Sequence, residues 1–116
     1  MRLELQDGRA VCERCTDADR PLSRLRGLLG RATMGRDEGI LLRPASSVHT
    51  AFMRFPIDAV FLDRELRVIR IAAELKPWRA AGCRGARAVL ELSSGESERR
   101  GVRPGDRVVP VGDLSL

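Results

Sequence analysis

A histidine and an aspartate nine residues apart, set among aromatic and aliphatic side chains, form the strongest chemical signal in this chain. The stretch from Val48 to Asp63 holds the single histidine, His49, and all three phenylalanines, and it places Asp58 between Ile57 and Ala59. A strand buried on both faces reads as nearly continuous hydrophobes, so a carboxylate inside one needs a partner or a task. If the run folds as a hairpin turning at Arg54-Phe55-Pro56, His49 falls opposite Val60 and diagonal to Asp58, at a backbone separation of about 7–8 Å that side chains can close. His49, Arg54 and Asp58 could then meet. The chemistry open to such a group is proton transfer, with a carboxylate orienting an imidazole and raising its basicity. The plainer alternative is that Asp58 accepts hydrogen bonds from Arg54 or from turn amides and only fixes the hairpin.

Other residues of chemical interest are scattered more thinly. Ser46, Ser47 and Thr50 near His49 offer hydroxyls, but none sits in a nucleophile elbow, and hydroxyl residues beside turns usually cap backbone groups. Cys12-Glu13-Arg14-Cys15 is half of a zinc knuckle that Cys83 and His49 could complete. On an extended strand, however, the two thiols of that motif point to opposite faces, and no second paired motif follows. The expectation is therefore no metal and no cofactor. Trp78, flanked by Lys76-Pro77 and Arg79, is either a recognition platform for a sugar or a peptide or a plug for an open end of the fold. Glu91, between Leu90 and Leu92, either faces solvent or reaches the polar centre around Asp58. Asp106, after Pro104-Gly105, is placed to bond its own turn.

The elements that must position these groups are short. Leu3 to Leu5 alternates, Asp7-Gly8 signals a turn and Ala10 to Glu13 resumes a strand, which predicts an opening hairpin. Pro21 to Leu29 has the spacing of a short amphipathic helix ended by Gly30, and Gly39 to Leu42 reads as a strand stopped by Pro44. Val48–Met53 and Ile57–Leu62 are predicted to pair, with a second hairpin through Asp63-Arg64-Glu65 into Arg67–Leu75. Lys76 to Ala86 reads as a long loop and Ala88 to Leu92 as a strand. Ser93 with Glu96 matches a capping box for one or two helical turns ending at Gly101, and Pro104-Gly105 fits a type II turn leading to Arg107–Val111. The sum is an α+β fold, a mainly antiparallel, barrel-like or strongly bent sheet with two short helices.

With 116 residues the chain fits one domain, residues 1–116, with enough length for its own core. The net charge of +5 invites a nucleic-acid reading. Its distribution argues against one: ten Arg face eight acids in residues 1–58, and ten Arg with Lys76 face eight acids in residues 59–116, so neither half is a basic arm. One Trp, three Phe and no Tyr also leave few platforms for stacking bases. No window of about 18 apolar residues exists and the first residues lack a signal-peptide core, so a cytoplasmic chain outside the membrane is expected, with its three cysteines reduced.

The residues also resemble a known family. Arg24-Leu25-Arg26-Gly27-Leu28-Leu29-Gly30, His49 through Asp58, Val89-Leu90-Glu91-Leu92 with Gly95 to Gly101, and Gly105-Asp106 are similar to the bacterial and archaeal family called domain of unknown function 192, over roughly residues 20–111. That resemblance implies a compact β-rich domain with no established activity. It maps the family's motif onto Gly27, His49, Met53, Pro56, Asp58, Glu91, Gly95 and Asp106, and leaves Cys12, Cys15 and Cys83 outside it.

Three functions compete. The leading one is a non-enzymatic binding or accessory module for a small molecule, sugar or peptide, with His49, Met53, Arg54, Asp58, Trp78 and Glu91 as candidate ligand-binding residues. The second is a small hydrolase or isomerase using His49 and Asp58 as its acid/base pair. The third is a basic nucleic-acid-binding protein.

Overall fold

The computed structural model describes residues 1–18, 33–51 and 53–112. The helix expected over Pro21–Leu29 and the Gly27 motif position lie outside these residues. The chain runs through β1 (Arg2–Leu5), β2 (Ala10–Cys12), β3 (Arg14–Ala18), β4 (Glu38–Leu42), β5 (Ser47–His49), β6 (Ile57–Leu62), β7 (Val68–Leu75), β8 (Ala80–Gly82), β9 (Ala88–Ser93), α1 (Glu96–Arg99) and β10 (Val108–Val111). The strands form three sheets, β10-β1-β2, β3-β4-β9-β6-β7 and β5-β8. All neighbours in the five-stranded sheet are antiparallel except β3 and β4, which are parallel. The fold is mostly β with one short helix among the described residues, and no sheet closes into the barrel anticipated from the strand pattern.

Every residue of β6 is buried, and this decides its place. A strand with no wet face belongs inside a sheet, so both edges of β6 are used, by β9 on one side and β7 on the other. No edge remains for β5. The expected pairing of residues 48–53 with 57–62 therefore does not form, and β5 joins β8 instead, with His49 opposite Ala80. β8 itself lies in the stretch expected to be loop, because its Ala-Ala-Gly sequence carries no strand signal of its own. The hairpin through Asp63 does form. The Asp63 carboxylate accepts from the amides of Glu65 and Arg67 at 2.8 and 2.9 Å and so holds the turn between β6 and β7.

Alternation along the strands divides the apolar side chains between two faces of the large sheet. Leu41, Val60, Leu62, Leu90 and Leu92 meet Leu3, Leu5 and Val11 of the β10-β1-β2 sheet in one core. Ile40, Leu42, Ile57, Ala59, Phe61 and Val89 pack with Val48, Met53 and Phe55 in the other. The five-stranded sheet is thus covered on both sides, and any polar group on β6 or β9 is buried whichever way it points.

Candidate functional site

Asp58 shares the first of these faces with Val60 and Leu62, at the end of β6 where α1 packs. Its carboxylate is fully buried and ringed by donors. The amide of Glu74 reaches Oδ1 at 2.9 Å, that of Gly95 lies 3.1 Å from Oδ1 and 3.2 Å from Oδ2, and Ser97 gives Oδ2 both its amide, at 2.9 Å, and its hydroxyl, at 2.6 Å. Each donor has a local cause. Along β7 the pairing with β6 slips between Ile57–Leu75 and Ala59–Ala72, and in that bulge Glu74 adopts φ 54°, turning its N–H inward. Gly95 stands at φ 91°, a conformation glycine adopts without the clash a Cβ would bring, and opens α1. The capping box expected from Ser93 and Glu96 is not used: the N-cap residue is Gly95, with no side-chain cap bond of its own, and Asp58 accepts from the first turn across the sheet. The plain reading of Asp58, a carboxylate satisfied by turn amides, is the one the geometry matches, although the amides come from β7 and the β9–α1 turn and not from the 54–56 turn.

His49 and Asp58 are not brought together. β5 packs through Val48 on the second face of the sheet, whereas Asp58 points to the first, so the sheet itself lies between them. His49 is exposed at the end of β5, Arg54 is exposed on the following loop, and neither donates to Asp58. Glu91 is also fully buried, but it pairs with Ala59 and Ile40 and so faces the second core, opposite to Asp58. Met53 is a buried member of that second core. The candidate residues thus separate into an inner group, Asp58, Glu91 and Met53, and an outer group, His49, Arg54 and Trp78.

The outer group is organised by a residue first noted only for its hydroxyl. Thr50 is fully buried; its Oγ1 donates to the Lys76 carbonyl at 2.6 Å and accepts from the Arg79 amide at 2.8 Å. Its backbone binds the same loop, with Thr50 N–H to the Arg79 carbonyl at 2.8 Å and Trp78 N–H to the Thr50 carbonyl at 3.0 Å. A hydroxyl committed in this way is a brace and not a nucleophile. The braced loop holds Trp78 at φ 63° with 60% of its surface exposed, beside the exposed Lys76 and Arg79 and two residues before Ala80, the partner of His49.

A second buried polar centre was not anticipated from the sequence. The Arg100 guanidinium, 9% exposed, bonds Glu13 at 2.7 Å and Glu96 at 3.2 Å and also donates to the carbonyls of Ala10 and Arg36, each at 2.9 Å. Hydrogen bonds from Arg100 hold the Glu13 carboxyl below the usual range, and those from Arg99 and then Arg100 do the same for Glu96. The i,i+3 and i,i+4 spacing of Glu96 with Arg99 and Arg100 was the available signal; the contact with Glu13, 87 residues away, had none. Asp106 does bond its own turn, accepting from the Arg103 amide at 2.9 Å. Among the described residues no three His, Cys, Asp or Glu side chains gather as metal ligands would, and no helix is long and apolar enough to cross a membrane.

Comparison with known proteins places this arrangement. The family DUF192, described as "Uncharacterized ACR", matches residues 3–110. The chain belongs to the DUF192 family. Two solved structures are similar to this DUF192 chain along most of their length. A protein of unknown function from Novosphingobium aromaticivorans DSM 12444 is 26% identical with a TM-score of 0.81, the match covering 95% of this chain and 84% of that one. A protein from Sinorhizobium meliloti 1021 named a "putative transcription regulator" is 27% identical with a TM-score of 0.79, covering 93% of this chain and 91% of that one. No curated protein matches the chain. Asp58 and Gly95, two of the positions onto which the resemblance mapped the family's motif, are joined directly by hydrogen bonds in this chain.

Proposed function

We propose that this DUF192 chain is a non-enzymatic ligand-binding module whose recognition surface is built on the loop that carries Trp78. The observation behind this reading is a large aromatic ring kept 60% exposed on a backbone at φ 63°, in a loop tied down by the buried Thr50. A bulky residue in the left-handed region is strained by about 1–2 kcal/mol, and such strain persists where surrounding contacts impose it, often at sites of recognition. The flat apolar face of Trp78 suits the apolar face of a sugar ring or a peptide side chain. Lys76 and Arg79 beside Trp78, with His49 opposite Ala80, favour a ligand that also carries a carboxylate. Proton transfer between His49 and Asp58 is not adopted, because the Asp58 oxygens already accept from three backbone amides and a hydroxyl on the other side of the sheet.

Trp78 is the only tryptophan, and the chain has no tyrosine, so its emission reports on this loop alone. A panel of acidic sugars, peptides with free C-termini and small carboxylic acids, followed by Trp fluorescence and melting temperature, should yield a ligand that shifts both. Trp78→Ala should keep the fold and lose the rise in melting temperature. Ligands that raise the melting temperature equally in Trp78→Ala, or a panel that moves neither signal, would remove this loop as the recognition surface.

A further inference from the structure

Cys12 and Cys15, expected on opposite faces of one strand, both point into the first core. The chain breaks at Glu13 between β2 and β3, so the two residues belong to different sheets that face each other. Cys12 pairs with Leu3 in the small sheet and Cys15 with Gly39 in the large one, and both thiols are buried in the same cluster. Gly39 locates the sulfurs. A Cβ at Gly39 would stand 2.7 Å from the Cys12 Sγ, so that sulfur occupies the space where a side chain at Gly39 would be. Cys15 is the lateral neighbour of Gly39 on the same face, one strand spacing of about 4.8 Å away. The absence of a side chain at residue 39 therefore makes a niche in which the two thiols meet.

From this geometry we propose that Cys12 and Cys15 form a reversible oxidation site, a dithiol that peroxide converts to an intrachain disulfide. Cys15, and not the fully buried Cys12, lines a surface cleft of about 540 Å³ with Met1, Arg2, Glu13, Arg14 and Thr16, so a small oxidant enters beside Cys15 and meets Cys12 in the niche the two thiols share. The two partners are electronically unequal. The neighbouring Cys15 thiol holds the Cys12 pKa below that of an ordinary thiol, while the Cys12 neighbour, with burial, raises that of Cys15; each S–H is given to a backbone carbonyl, that of Cys12 to Asp37 at 3.5 Å and that of Cys15 to Thr16 at 3.7 Å. The Cys12 thiolate attacks one peroxide oxygen; the O–O bond breaks and the departing hydroxide takes a proton to leave as water, with sulfenic acid on Cys12. The Cys15 sulfur then attacks the Cys12 sulfur; the S–O bond breaks, and hydroxide leaves with the Cys15 proton as a second water. One peroxide is reduced by two electrons, both thiols are oxidised together, and a dithiol reductant reverses the change.

The test is peroxide treatment of the reduced full-length chain, quenching, denaturation, thiol alkylation and mass spectrometry. The expected product has lost two hydrogens, about 2 Da, carries one alkyl group, on Cys83, and regains all three alkylation sites after dithiothreitol. Cys83→Ser should still lose the two hydrogens, and Gly39→Ala, which fills the niche, should form the bond more slowly. The proposal is overturned if all three thiols remain alkylatable after peroxide, if the disulfide involves Cys83 or a second chain, or if Cys12 or Cys15 gains oxygen without loss of the two hydrogens. A Gly39→Ala chain that oxidises as fast as the native one removes the niche from the account.

Discussion

The buried carboxylate of Asp58 ties β6 to the β7 bulge and to the first turn of α1. It has no cationic partner among its hydrogen bonds; three amides and one hydroxyl satisfy it. Replacement by asparagine keeps shape and volume but turns an NH2 group toward these donors, whichever way the amide is flipped. Ser97 can rotate to accept, but the amides cannot. Asp58→Asn is therefore expected to lose about 2 kcal/mol of stability, and Asp58→Ala, which leaves every one of these donors without an acceptor, more than Asp58→Asn, both measured as shifts in urea midpoint at unchanged slope. A midpoint unmoved by Asp58→Asn would mean that the charge contributes little. That Asp58 needed partners was legible in the sequence, since an acid inside Ile57–Leu62 has no other way to be tolerated. Which partners was not, because they are backbone N–H groups from residues 16 to 39 positions away, and an amide donor leaves no trace in side-chain identity.

Among the elements, α1 shows how a four-residue helix is kept in place. It is too short to be stable by itself. Its first turn is held by Asp58 of β6, and Arg100 just past its end reaches Glu13 at the β2–β3 break. Glu13 and Glu96 have pKa values lowered in the folded state, so their contribution is complete above the unfolded value near 4.5 and is lost as pH falls through the lower folded values. Acid should thus weaken the fold more steeply below about pH 4.5 in the native chain than in Arg100→Met, as read from urea midpoints on both sides of that value. Parallel pH profiles for the two proteins would show that this clamp contributes nothing. The strands themselves were largely readable: β1, β2, β4, β6, β7, β9 and β10 fall where periodicity and turn residues put them. The partner of β5 was not. Pairing depends on which strand edges stay open after the doubly buried strand has taken two neighbours, and that is decided by the whole sheet.

At the scale of the whole molecule, one sheet separates two cores, and residues adjacent in sequence serve different interiors. Ile57 and Asp58 illustrate this, as do Leu90 and Glu91. The arrangement predicts an order of local stability. Amides of β6 and β9, paired on both edges and covered on both faces, should exchange with solvent only on global unfolding, whereas those of β5 and β8 should exchange through smaller openings. Hydrogen exchange at residue resolution checks this, and equal protection of β5 and β6 would contradict it. The same scale explains the separation of the candidate site residues. The sequence placed His49 and Asp58 close along the chain, but an intervening layer of backbone puts one on a wet surface and the other in a dry interior.

The slip of register at Glu74 has an effect beyond the amide it delivers. β7 forms an outer margin of the five-stranded sheet and, at eight residues, is the longest strand described. A straight, apolar margin of that length would be a template on which a second molecule could add a strand, and then a third. The kink interrupts the regular row of backbone donors and acceptors, and the exposed Glu74 within it and Arg70 further along the strand add charge. The device that satisfies an interior carboxylate thus also guards the molecule against fibrous self-association.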